Sequence, residues 1–96
     1  MESPIRRIRR QLDLTRRDFA AAAVENYNYV LQMERGEVRL SQRVCDALVE
    51  LGVNVDAFVA EHDAFRADRR KAIIKRARKR NGTKALISEA RAGAKS

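Results

Sequence analysis

The residues that could take part in acid–base, nucleophilic or metal chemistry are few, and they form no catalytic arrangement. His62 is the only histidine and Cys45 the only cysteine among the 96 residues. Asp63 is adjacent to His62, but consecutive residues of a helix do not face each other. There is no cysteine and histidine cluster with metal-ligand spacing and no glycine-rich phosphate loop. We therefore expect no enzymatic activity, metal or cofactor, with His62 as a packing or surface residue and Cys45 as a small core residue.

The stretch from Leu14 to Gly36 has a spacing that is typical of DNA recognition. Thr15 can cap one short helix and Asn26 can cap a second, amphipathic one, with only a few residues between them. Two such helices hold the second in the major groove only if they cross closely, and a small residue such as Ala20 permits that approach. The pattern predicts a helix-turn-helix that binds double-stranded DNA.

The charge of the chain is concentrated in its last third. Residues 1–62 contain 9 Lys/Arg and 10 Asp/Glu, whereas residues 63–96 contain 12 and 3, so the net charges of −1 and +9 make up the formal +8. Such a bias indicates a polyanionic partner, and nucleic acid is the commonest one. A solvated, solubilising tail is the alternative.

Helix-start and helix-stop signals predict five helices in the first part of the chain. They cover about residues 4–12, 16–22 and 27–35, then a stretch from Ser41 to Gly52, and a fifth that starts at Asn54 or Asp56. No segment alternates with a period of two, so no sheet is expected. The predicted fold is all-α, with a five-helix domain over residues 1–62 and a basic helical extension with a disordered end over residues 63–96.

The extension cannot be one straight helix with a single buried face. At about 100° per residue, Phe58 and Phe65 share a face, while Ile74 points about 160° away from Phe58. Either the helix breaks near Asp68, or a second chain covers one side. Asn81, with the Gly-Thr pair that follows it, then marks a helix stop and a new start. The apolar residues of this extension form a candidate dimerisation element: Phe65, Ile73, Ile74, Leu86 and Ile87.

Residues 4–59 resemble the phage Cro and repressor-like helix-turn-helix proteins, the XRE family. That family usually shows Leu-Thr-Gln-Glu-Glu-Leu-Ala, a turn, and a recognition helix that ends Ile-Glu-Arg-Gly. This chain has LTRRDFA from Leu14 and MERG from Met33 in the same register. Its later stretch CDALVELGVNVDAFV is similar to the family's fourth and fifth helices. The resemblance implies a five-helix repressor-like fold.

The resemblance also implies roles for individual residues. Residues of the third helix would meet DNA bases, because Asn and Gln can bind adenine through two hydrogen bonds and apolar groups can contact thymine methyls; these are Asn26, Tyr27, Asn28, Leu31 and Gln32. Leu31 could instead contact the tail. Four arginines would contact phosphates and fix the position of the domain: Arg16, Arg17, Arg35 and Arg39. Arg9 and Glu34 match two positions that form a structural ion pair.

Two residues in the turn depart from the family pattern. Val24 stands where the family usually has glycine, and Glu25 where it has an apolar residue. Because a β-branched residue is poor in a left-handed conformation, a reshaped turn is expected to change the angle of the third helix. Asp13 replaces another frequent glycine, but aspartate tolerates that conformation better.

Three function classes are compatible with these patterns. The first is a sequence-specific DNA-binding transcriptional regulator, expected to be a repressor that binds a palindromic operator as a homodimer. The second is an antitoxin-like protein that binds a toxin partner through its basic tail and regulates its own promoter. The third is an architectural or RNA-binding protein that depends on the tail. No apolar run approaches the ~18 residues of a membrane span, so we expect a cytoplasmic, nucleoid-associated protein without a membrane partner.

Overall fold

The computed structural model describes residues 2–81, and this part of the chain folds into five helices without a strand. They are α1 (Pro4–Gln11), α2 (Arg16–Ala23), α3 (Tyr27–Glu34), α4 (Gln42–Glu50) and α5 (Val55–Asn81). The prediction of an all-α fold is therefore confirmed. Leu86 and Ile87, which were expected in the dimerisation element, lie outside the described residues.

Each of the first four helices begins at the capping residue that the sequence predicts or implies. Thr15 Oγ1 accepts the backbone N–H of Asp18 at 3.0 Å, and Ser41 Oγ accepts that of Val44 at 3.2 Å. Asn26 Oδ1 accepts two backbone N–H groups at the start of α3, and Ser3 precedes Pro4 at the start of α1. These bonds satisfy helix-end donors that no residue of the helix itself can satisfy.

The core lies where the apolar faces of the five helices meet. Its fully buried side chains come from α1 to α4 and include Ile5, Phe19, Val30, Met33, Val44 and Leu48. Ala20 is only 5% exposed, and α2 packs against both α3 and α4. A methyl side chain at this crossing lets the helix axes approach closely. The distance between α2 and α3 is thus set by the small side chain of Ala20 and by the larger buried side chains next to it, such as Phe19 and Val30.

His62 and Cys45 occupy different environments. His62 is fully buried on α5, and its Nε2 lies 3.0 Å from the carbonyl oxygen of Val38, to which it can donate a hydrogen bond. It therefore ties α5 to the segment between α3 and α4. Cys45 was expected in the core, but it is only half-buried because it lies at the edge of the inward face of α4. Burial raises the pKa of the Cys45 thiol.

The fifth helix is continuous from Val55 to Asn81, which rules out a break near Asp68, the first of the two alternatives for this segment. No proline or glycine interrupts this segment, and a helix without such a residue can continue beyond the surface that it packs against. Its first turns are held by Phe58, which is 4% exposed, and by the ion pair of Glu61 with Arg7 of α1. The predicted domain boundary at residues 62 and 63 falls inside this helix.

Gly36 joins the end of α3 to the side of α5. Its φ of +77° is in the left-handed region that glycine adopts readily. A Cβ atom at this position would lie 2.8 Å from Cε2 of Phe65, closer than two carbon atoms can pack. The glycine is thus required both by the backbone conformation and by the aromatic ring that lies against it.

We expect Gly36→Ala to destabilise the protein more than Gly52→Ala does. Gly52 has a similar φ of +83°, but a Cβ there would meet no atom within 4 Å, so this variant loses about 1 kcal/mol from backbone strain alone. Gly36→Ala adds the displacement of Phe65, and we expect about 2 to 4 kcal/mol in total. Urea unfolding of both variants measures the difference. Equal losses of unfolding free energy in the two variants would show that the Phe65 ring can move aside without an energetic cost.

Candidate nucleic-acid interface

Helix α3 presents a polar face to the solvent and an apolar face to the core. Val30 and Met33 are fully buried, whereas Asn28 and Gln32 are exposed. Tyr27 and Leu31 are half-buried at the boundary of the two faces. Asn28 and Gln32 are four residues apart and so lie one turn from each other on the same side of the helix. Their amide groups can both reach a surface laid against α3.

Asn26 has a structural task before any contact with DNA. Its Oδ1 accepts the backbone N–H groups of Asn28 at 2.8 Å and Tyr29 at 3.2 Å. Because the amide oxygen is occupied in this way, a base contact from Asn26 depends on its amide nitrogen. An adenine contact through two hydrogen bonds needs both groups, so Asn26 is less suited to it than Asn28 or Gln32.

Two arginines of α2 hold the side chain of Tyr27. Arg16 Nη1 donates a hydrogen bond to the Tyr27 hydroxyl at 3.1 Å. The guanidinium of Arg17 lies 5.2 Å from the centre of the same ring, within the range of a cation–π interaction. The first residue of α3 is therefore fixed in position by the first two residues of α2. Tyr27 presents a braced ring rather than a freely moving one.

The carboxylate of Glu34 connects three helices. Its oxygens accept hydrogen bonds from Arg9 Nη2 of α1 and from Arg16 Nε of α2, each at 2.8 Å. The Glu34 side chain is only 7% exposed and that of Arg9 12%. The pairing of Arg9 with Glu34 follows from the family pattern, but no sequence signal indicated that Arg16 joins it. Arg16 therefore braces the recognition helix at Tyr27 and at Glu34.

The pKa values of this network follow from its geometry. Burial of Glu34 opposes its ionisation, but hydrogen bonds from Arg16 and Arg9 outweigh burial and hold the pKa of Glu34 below its ordinary value. The hydrogen bonds to Glu34 and then to Tyr27 raise the pKa of Arg16. Glu34 and Arg16 are thus both charged at neutral pH.

The turn between α2 and α3 keeps the left-handed conformation although Val24 replaces the usual glycine. Val24 has a φ of +51°, and its backbone N–H bonds to carbonyl groups of the last turn of α2. The expected reshaping at this residue is therefore absent. Arg43 Nη1 of α4 donates a hydrogen bond to the Val24 carbonyl at 2.8 Å, a contact that no sequence signal indicated. The left-handed conformation of Val24, which is 73% exposed, costs about 1 to 2 kcal/mol, and the hydrogen bonds of the turn offset this cost.

The far end of α3 opens onto a cleft shared with α1 and α5. Leu31 and Arg35 line this cleft together with Arg6 and Phe65. Leu31 thus lines the same cleft as Phe65 of α5, and its partial exposure leaves it accessible. Arg35 and Arg39 are both exposed on either side of Gly36. Positive groups therefore flank the recognition helix at the end of α3 as well as at its start.

Within residues 2–81, the structure contains no group of three or more metal-ligating side chains. In the same part of the chain, no helix is both long enough and apolar enough to cross a membrane.

Comparison with known families identifies the segment that carries this geometry. The sequence profile described as Helix-turn-helix matches residues 5–52, which include α1 to α4 and the turn at Val24. Comparisons with curated proteins and with solved structures found no match.

We expect Glu34→Gln to destabilise the protein at neutral pH. Its free energy of unfolding should also fall less in acid than that of the wild type. Removing the charge leaves Arg9 buried without its counterion, which costs about 3 kcal/mol. Because the pKa of Glu34 is below its ordinary value of 4.5 in the folded state, its contribution is complete above that value and is lost as the pH falls through the folded-state pKa. The difference in unfolding free energy between wild type and variant should therefore shrink in acid.

Unfolding in urea between about pH 3 and pH 7 measures this difference. Glu61→Gln is the matched control, because Glu61 pairs with Arg7 at the surface and its side chain is 42% exposed. A loss for Glu61→Gln as large as that for Glu34→Gln would contradict the central role of the buried carboxylate.

Proposed function

This chain belongs to the XRE-type helix-turn-helix family of DNA-binding transcription regulators, and on that basis we propose that it represses transcription as a dimer bound to a palindromic operator. We further propose that it acts at the nucleoid in the cytoplasm. The observation that carries the proposal is the polar outer face of α3, held rigidly by the buried network of Glu34.

We assign sequence readout first to Asn28 and Gln32. Both side chains are exposed one helical turn apart. Each amide can donate a hydrogen bond to N7 of adenine and accept one from its N6 amino group in the major groove. Tyr27 and Leu31 border the same face and offer apolar surface to thymine methyl groups. Asn26 contributes through its amide nitrogen while it caps the helix.

We assign the positioning of the domain to arginines at the two ends of the helix-turn-helix. Arg17 is exposed at the start of α2, and Arg16 beside it is half-buried. Arg35 and Arg39 are exposed beyond the end of α3. Contacts of these groups with phosphates would fix the register of α3 on the duplex without reading its sequence.

The proposal of a dimer follows from the small size of the reading surface. One domain of this kind offers too few base contacts for tight binding, and a second copy on a half-site about one helical turn away supplies the missing affinity. Phe65 already packs against Gly36 of its own chain, so the proposed contact between copies uses Ile73 and Ile74. Ile73 is 38% exposed although it is a large apolar residue.

Selection of bound DNA from a random duplex pool at about 150 mM salt tests the proposed function, because nonspecific binding is weakened there. We expect an enriched palindrome with half-sites about one helical turn apart. If no motif is enriched, the proposal of sequence-specific regulation is wrong.

We expect Asn28→Ala and Gln32→Ala each to weaken binding to the selected operator by about 1 to 3 kcal/mol while sparing binding to random DNA. Gln42→Ala is the matched control, because Gln42 is an exposed glutamine on α4 that bonds only to Asp46 at the surface. Fluorescence anisotropy with both duplexes gives the comparison. An equal loss on operator and random DNA would contradict base readout by these amides.

We expect Ile73→Ser combined with Ile74→Ser to lower the cooperativity of operator binding and to leave the affinity for a single half-site unchanged. Both residues line a cavity beside Gly36 and Glu37, but neither belongs to the buried core, so their replacement leaves the core intact. Analytical ultracentrifugation and gel-shift titration on full and half operators provide the measurement. Unchanged cooperativity would place the contact between copies elsewhere.

A further inference from the structure

The end of α5 carries many positive charges, and nearly all of them lack an acidic partner in the described part of the chain. We call residues 66–80 the basic arm. These 15 residues include nine Lys/Arg and one acidic residue, Asp68. Among the described residues, the arm's only ion pair is that of Arg69 with Glu37, at 4.0 Å. A folded domain gains nothing in stability from so many like charges on one helix, because neighbouring charges repel.

The basic arm is a continuous helix rather than a solvated coil. Fifteen residues at 1.5 Å per residue span about 22 Å, a length over which duplex DNA carries about 13 phosphates. Lys71, Lys75, Arg78 and Lys79 are all exposed. At about 100° per residue they fall within an arc of about 100°, on the side of α5 directed away from Phe58 and His62. They form a straight row of four cations along one side, and the other five cations of the arm lie on the remaining faces of the helix.

The arm is attached firmly beside the recognition helix. Phe65, at its base, lies against Gly36, the residue that ends α3. Arg69 contacts the same segment through Gly36 and Glu37. His62 binds the Val38 carbonyl one turn earlier in α5. The position of the arm relative to α3 is therefore fixed by packing and hydrogen bonds before any ligand is bound.

From these observations we infer that the basic arm binds the phosphate backbone of double-stranded DNA next to the half-site that α3 reads. The inference rests on the proposed function, since it takes the duplex bound by α3 as the partner. It adds an interaction surface outside residues 5–52, the segment that matches the family. Cations spaced along a straight rod suit the regular phosphates of a duplex.

Charge argues against the main alternative occupant of this row, which is the same row of a second copy. Two rows of four cations that face each other repel at close range, and the repulsion is weakly screened within a Debye length of about 8 Å. Ile73 lies on the other side of the helix from the row of Lys71, Lys75, Arg78 and Lys79. At about 100° per residue, the proposed contact between copies through Ile73 and Ile74 is centred about 140° from the middle of that row. The row therefore faces outward, where phosphates can neutralise it.

The test compares the full chain with a variant in which the row is neutralised, Lys71→Gln, Lys75→Gln, Arg78→Gln and Lys79→Gln. The matched control keeps every charge at the same positions, as Lys71→Arg, Lys75→Arg, Arg78→Lys and Lys79→Arg. Glutamine is a good helix former, so the arm remains helical, and circular dichroism verifies this. Affinity for a random-sequence duplex of about 40 base pairs is measured between about 0.1 and 0.3 M salt.

We expect the plot of log K against log salt to be shallower by about 3 to 4 for the glutamine variant, since each lost phosphate contact lowers the slope by about 0.9. The charge-preserving control should keep the wild-type slope. On the selected operator, extending the flanks by about one helical turn should strengthen binding by wild type and by the control, but not by the glutamine variant.

The inference would be overturned if all three proteins had the same slope of log K against log salt. It would also be overturned if the glutamine variant lost the same affinity on trimmed and on extended operators. A loss of dimer in sedimentation without a change in slope would also overturn it and assign the row to a second copy. The inference would also be overturned if the arm bound a single-stranded RNA of equal length more tightly than the duplex, and RNA would then be its partner.

The outcomes also separate this inference from the proposed function. If no operator is enriched but the slope on random duplex depends on the row, sequence-specific regulation fails and the arm contact stands. If an operator is enriched and neither the slope nor the effect of the flanks depends on the row, regulation stands and the arm contact fails.

Discussion

The buried carboxylate of Glu34 is the interaction on which the remaining geometry depends. It accepts hydrogen bonds from Arg9 of α1 and Arg16 of α2 while it forms part of α3. A buried charge is stable only when it is paired and hydrogen-bonded, so the three helices must adopt the one arrangement in which both arginines reach it. Apolar packing brings the helices together, and the carboxylate selects their orientation.

Arg16 connects this buried network with the surface that would meet DNA. Through Glu34 it holds the last turn of α3, and through the Tyr27 hydroxyl it holds the first. A recognition helix fixed at both ends loses little conformational entropy when it binds, which favours both affinity and discrimination. The same arginine is also near enough to the surface to approach a phosphate. Its hydrogen bonds to Glu34 and Tyr27, however, already occupy part of its guanidinium group.

A second joint connects the recognition helix with α5. Gly36 ends α3, accepts the ring of Phe65 against its backbone, and takes a left-handed conformation. Because the ring occupies the space of a side chain at residue 36, any movement of α5 is transmitted to the end of α3. The turn at Val24 shows the opposite case, in which strain at an exposed residue is tolerated because Arg43 and the backbone hydrogen bonds of the turn fix the backbone. Rigidity at the end of α3 and strain at its start thus have separate causes.

The sequence by itself determined the features that depend on near neighbours in the chain. Thr15, Asn26 and Ser41 marked helix starts because a cap bonds to a backbone group two or three residues away. Composition alone separated a nearly neutral domain from a basic extension. The tertiary structure decided which distant groups meet: Arg16 with Glu34, Arg43 with Val24, and His62 with Val38. It also decided that α5 continues past Asp68, since a local pattern of apolar residues cannot tell a helix that breaks from one that extends beyond its packing surface. Local signals act over one helical turn, whereas these contacts depend on how whole helices pack.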